Sequence, residues 1–125
     1  MNITKLVGSV IYAWFPDHTS SLRPGQKFRP CLIVDIDLDS NKVLLAYGTS
    51  QQTERQDRGQ FTIKKSEMPS LTKDTKFSLC SRLWLPITAE FIYRSANDPR
   101  IEVCGQVPRS MATRLLRALE EANNI

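Results

Sequence analysis

An arginine set directly before a proline, Arg29-Pro30, opens the apolar run Cys31-Leu32-Ile33-Val34, and a Thr49-Ser50 pair closes the following run twenty positions later (49 − 29). A guanidinium is planar and permanently charged, so it can brace two oxygens of one phosphate, which a lysine point charge cannot do in the same way. A Thr or Ser hydroxyl at a strand end can hydrogen-bond the same phosphate or hold the arginine. Spacing alone favours a plainer description: a surface arginine ahead of a proline, and a Thr-Ser pair that turns the chain. The only histidine, His18, lies in the polar stretch DHTSSLRPGQKF. It is either a group that moves protons near neutral pH or a solvated loop side chain.

The charge balance suits an anionic partner without requiring one. Seventeen basic residues against thirteen acidic ones leave a net charge of +4. Lys27 sits between Arg23 and Arg29 with no acid among them, and Lys64, Lys65, Lys73, Lys76 and Arg82 form a second basic stretch. Lys64 and Lys65 serve equally well as ordinary solubilising charges. Acids gather instead at Asp35, Asp37 and Asp39, and at Glu120 and Glu121. Cys31, Cys80 and Cys104 form no C-x-x-C pair, and each stands among apolar residues. That pattern predicts buried, reduced thiols. One His and three scattered Cys supply no cluster of zinc ligands, so neither a metal nor a cofactor is expected.

The elements that must position these residues are mostly strands. The 125 residues predict one domain over 1–125. No apolar run reaches the roughly 18–20 residues that span a bilayer, and the first fifteen residues lack a signal-peptide pattern, so a cytoplasmic protein is expected. Residues 8–15 (GSVIYAWF) alternate β-formers on two faces and end at Pro16. Residues 29–36 and 42–48 are near-continuous apolar runs joined by the tight DLDSN turn, which marks them as central strands. Further strands are predicted at 60–64, 76–85 and 100–106. From Pro108 the period changes: Met111, Leu115, Ala118, Leu119 and Ala122 lay one apolar stripe on a helix over about 108–122, with Pro108 in its first turn. Strands followed by one helix predict a mostly β, α+β domain or a small barrel.

Three segments in this order resemble the PemK/MazF toxin family: Gly8-Ser9-Val10-Ile11-Tyr12-Ala13-Trp14-Phe15-Pro16, Arg29-Pro30 with its apolar run, and Thr49-Ser50 past a strand. The closing GQVPRSMATRLLRALEEA is similar to the family's last strand, proline and helix, so the resemblance covers about residues 8–122. It implies an SH3-like barrel of five to six strands that forms a homodimer. It also implies a toxin of a toxin-antitoxin pair: a metal-independent, sequence-selective endoribonuclease on single-stranded RNA, leaving a 2′,3′-cyclic phosphate and held inactive by an antitoxin. Carried onto this chain, the resemblance makes Arg29, Thr49, Ser50 and His18 the catalytic candidates, with Lys27, Gln51, Lys76 and Arg82 as RNA contacts. Some family members carry an acid near the strand aligned with FSLCSRLWL, where this chain has Ser81 and Arg82 and no carboxylate. That departure supports a second reading, a catalytically inactive barrel that binds RNA or a protein. A third, a peptide adaptor with Trp14, Trp84 and Tyr93 lining an aromatic groove, competes with the ordinary placement of strand aromatics in a core.

Overall fold

The computed structural model describes residues 7–16, 23–55, 57–88, 90–95 and 97–123. Six strands form one antiparallel sheet: β1 (Ser9–Ala13), β2 (Arg29–Asp37), β3 (Lys42–Thr49), β4 (Gln60–Ile63), β5 (Thr75–Pro86) and β8 (Val103–Gln106), in the order β4-β5-β3-β2-β1-β8. A hairpin, β6 (Tyr93–Ser95) with β7 (Asp98–Ile101), stands apart from it. A single 3-10 turn, Arg109–Met111, then leads into α1 (Ala112–Asn123).

Both faces of the sheet are covered, and the period of two in each strand divides the side chains between them. Val10 of β1, Leu32 of β2 and Ala46 of β3 face the cluster that includes Phe61, Ile63, Phe77, Leu79 and Met111. Their neighbours Ile11 and Ala13, Cys31 and Ile33, and Val43 and Leu45 face the opposite cluster, with Phe15, Leu85, Phe91 and Ile92. Each fully buried Leu, Ile or Phe contributes about 1.5–3 kcal/mol of transfer free energy. Helix α1 packs on β4 and β5. Its Ala118 is buried, as is Met111 of the 3-10 turn before it, while Leu115, Leu119 and Ala122 rest half-buried on the same cluster. The stripe read from the sequence is therefore the packed face.

Strand β5 serves both clusters because its ladder to β3 jumps: Tyr47 pairs Ser78, yet Ala46 pairs Arg82. The three residues between, Leu79 to Ser81, shift the register by an odd number. Side chains that faced one side of the sheet before the jump therefore face the other side after it. Phe77 and Leu79 belong to the helix-side cluster, and Leu83 and Leu85 to the opposite one. The same excursion leaves Cys80 exposed, with its Sγ donating to the Arg58 carbonyl at 3.6 Å, so only Cys31 and Cys104 match the expected burial.

Two boundaries differ from the sequence reading. The segment 100–106 is not one strand: the chain changes partners at Glu102, whose carbonyl accepts from the Tyr12 N–H at 2.9 Å between β7 and β8. The helix starts at Ala112 rather than Pro108, because Pro108 is extended (φ −61°, ψ 149°) and Ser110 falls in the 3-10 turn. Among the described residues no helix is long and apolar enough to cross a membrane.

The helix assignment makes a direct prediction. Ala118→Asp puts an unpaired carboxylate into a site only 2% exposed, and should cost about 3 kcal/mol or more in urea unfolding. Leu116→Asp, at a position 60% exposed, should stay within about 0.5 kcal/mol of wild type. Equal effects from the two changes would mean that α1 packs by another face.

Candidate nucleic-acid interface

Where the ends of β2, β3 and β5 meet, a cavity of about 450 Å³ opens. Lys27, Phe28 and Arg29 line it from the approach to β2, Thr49, Ser50 and Gln51 from the end of β3, and Thr72 and Lys73 from the segment entering β5. Register explains the meeting. Cys31 pairs Tyr47 in the β2–β3 ladder, and one further two-residue step sets position 29 across from position 49. Packing around Gly48 is also very close: a Cβ there would lie 2.5 Å from the Pro30 carbonyl oxygen and 2.9 Å from both Phe77 Cε1 and Thr75 Cγ2. Only glycine fits between these strands.

Arg29 is half-buried and held on one side. Its Nη1 donates to the Tyr47 hydroxyl, and its guanidinium carbon lies 5.2 Å from the Tyr47 ring centroid. The Tyr47 ring in turn packs on Phe15, with centroids 5.4 Å apart. One edge of the guanidinium is thus fixed, and a fork of further N–H donors remains to meet an anion. The Thr49 hydroxyl oxygen accepts the Gln51 N–H at 3.2 Å and shapes the turn that presents exposed Ser50 and Gln51. Lys27, Arg29 and Lys73 make the lining cationic, and no described lining residue is a carboxylate. A concave site of one sign concentrates counter-charged ligands.

The thiol nearest this site is not a nucleophile. Burial pushes Cys31 up to about 12, against smaller opposing effects from the Gly48 backbone and the Arg29 charge, so it stays protonated near neutral pH. Cys104 is likewise raised by burial, partly offset by a hydrogen bond from Tyr12. Among the described residues no three metal-ligating side chains converge.

Arg29, Thr49, Ser50, Lys27 and Gln51, singled out in the sequence, all line this one cavity. Lys76 and Arg82 do not. Lys76 is 6% exposed, and its Nζ donates to the Gln52 and Arg55 carbonyls, each at 2.9 Å. Its charge is therefore spent inside the protein, securing the loop after Thr49-Ser50. Arg82 lies beyond the register jump of β5 and donates to Asn123 Oδ1 at 2.9 Å, at the end of α1. His18 lies outside the described residues. Among the lining residues that the sequence did not single out as site candidates are Tyr47, Tyr12, Phe28, Thr72 and Lys73. A signal for Tyr47 was present: two residues before Thr49 on one strand, it must project from the same face.

No family model matches the sequence, and no curated protein sequence matches it significantly. Solved structures do match: the fold is that of the MazF/PemK-like toxins. The chain is similar to Mycobacterium tuberculosis toxin MazF-mt6 (17% identity, TM-score 0.61, covering 93% of this chain and 97% of that one). It is also similar to an endoribonuclease in complex with its cognate antitoxin from mycobacterial species (18%, TM-score 0.62, 96% and 95%). A third match is an Mtb toxin (17%, TM-score 0.55, 76% and 92%).

The position of Lys76 yields a prediction. Lys76→Met removes two charge-assisted bonds to carbonyls and should cost about 1–3 kcal/mol. Amide exchange should accelerate over residues 50–55. Unchanged stability together with a shallower salt dependence of RNA binding would instead make Lys76 a phosphate contact.

Proposed function

We propose that this protein is the toxin of a toxin-antitoxin pair, a sequence-selective endoribonuclease that cuts single-stranded RNA without a metal ion. The observation that carries the reading is the convergence of Arg29, Thr49 and Ser50 in one cationic cavity. It lies within a fold shared with an endoribonuclease solved in complex with its antitoxin. In this reading the 2′-hydroxyl of the substrate attacks the adjacent phosphorus, and negative charge builds on the phosphoryl oxygens. Arg29 braces that charge with donors already fixed in place, which is the arrangement that lowers a barrier most. The Thr49 and Ser50 hydroxyls orient the phosphate, while Lys27 and Lys73 draw the backbone in and Gln51 contacts the chain beside it. The products are a 2′,3′-cyclic phosphate and a 5′-hydroxyl. The working protein is a cytoplasmic homodimer that an antitoxin silences by occupying the same cavity.

The absence of a carboxylate from the described lining favours one other reading, a barrel that binds RNA without cutting it. One experiment separates the two. Purified protein is incubated with a long mixed RNA in excess EDTA and the ends are mapped, with sedimentation of the same preparation reporting the dimer. Cleavage at short recurring sequences is expected. Arg29→Lys should lose about 100- to 1,000-fold in rate, as removal of a transition-state donor does, and Thr49→Val should lose less. RNA that is bound and never cut by wild type, and bound equally by Arg29→Lys, would replace the nuclease with the binding module.

A further inference from the structure

Cleavage by an internal 2′-hydroxyl needs a proton for the departing 5′-oxygen, and no carboxylate among the described residues lines the cavity to supply it. The lining does contain two phenols, Tyr12 and Tyr47, and the structure separates them. Tyr12 hydrogen-bonds the Cys104 thiol on the helix side of the sheet. Tyr47 meets Arg29, which has donors only, so the Tyr47 oxygen is the acceptor of that bond and its own hydrogen is not used there. Among the described residues none accepts that hydrogen. The ring is held by Phe15 at 5.4 Å and by the guanidinium carbon 5.2 Å from its centroid, so the hydroxyl is fixed against the group that would grip the phosphate. Lys27 and Lys73, the ammonium groups of the lining, are exposed. Their long stems leave them without a comparable fixed position.

Resting on the nuclease reading above, we propose that Tyr47 is a catalytic residue of this protein, the general acid that protonates the leaving 5′-oxygen. In the step, the bond from the 2′-oxygen to phosphorus forms while the bond from phosphorus to the 5′-oxygen breaks. The 2′-hydroxyl proton passes to solvent water, and the Tyr47 proton passes to the 5′-oxygen. The phenolate left behind lies against the Arg29 guanidinium until water returns its proton. Nothing is oxidised or reduced. Arg29 thereby serves the phosphoryl oxygens with its free donors and the phenol oxygen with Nη1.

The test replaces the leaving group. A short RNA carrying a 5′-bridging sulfur at one mapped cleavage site leaves as a thiolate, which needs no proton. Tyr47→Phe keeps the ring and its packing on Phe15, and its melting curve should overlay wild type. It should cut ordinary RNA about 100- to 10,000-fold more slowly, and cut the sulfur substrate within about tenfold of wild type. Arg29→Lys should remain slow on both. A Tyr47→Phe enzyme equally slow on both substrates would make Tyr47 a positioning residue for Arg29, and one equally fast on both would leave it no role; either result overturns the proposal while leaving the nuclease standing. Wild type that cuts neither substrate overturns the nuclease reading itself, and this proposal with it.

Discussion

The close packing of β2 and β5 against Gly48 of β3 governs everything built around it. The Pro30 carbonyl from β2 and the Thr75 and Phe77 side chains from β5 all come within 3 Å of where a Cβ on Gly48 would stand. Because a methyl group cannot enter, the start of β2, the end of β3 and the start of β5 are locked at one distance. A wall forms whose polar members are supplied by segments far apart in sequence: Arg29, Thr49 to Gln51, and Thr72 to Lys73. A packing constraint in the sheet thus sets the width of a polar cavity. Arg29 gains a second constraint from Tyr47, so its position is determined by packing as well as by charge.

The register jump in β5 solves a different problem. A small sheet buried on both faces must fill two clusters with few strands, and a regular strand offers each cluster only alternate residues. By shifting three residues, β5 gives Phe77 and Leu79 to one cluster at its start and Leu83 and Leu85 to the other at its end. It also turns positions 76 and 82, which a regular strand would keep on one face, to opposite faces of the sheet. That is why two cations six positions apart (82 − 76), Lys76 and Arg82, have unrelated partners.

What could be read in the sequence was whatever depends on local period. The alternation of residues 8–15, the two apolar central strands and the helical stripe from Met111 all reflect burial, and burial follows side-chain chemistry. The placing of Arg29 at the start of one strand and Thr49 just past the end of the next was legible too, since an antiparallel hairpin brings those two ends together. Properties set by tertiary register were not legible. Nothing local distinguishes Cys80, on an excursion, from Cys31, in the core, or says that Lys76 turns inward to carbonyls instead of outward to solvent. The β6–β7 hairpin was missed because its strands are short and polar, and the break at Glu102 because it reflects a change of partner and not of composition.

The way Lys76 anchors the loop beyond Thr49 bears on how such a protein can diversify. The ammonium holds main-chain carbonyls at positions 52 and 55, so the attachment does not depend on which side chains the loop carries. Exposed Gln51, Gln52, Glu54 and Arg55 are therefore free to change by mutation without unfastening the segment that borders the cavity. Gln52, with φ 51°, already occupies a backbone region that glycine or asparagine would enter with even less strain. A buried cation under a variable loop separates the inheritance of shape from the inheritance of surface chemistry. The rim of the cavity can then drift toward new ligands while its floor stays in place.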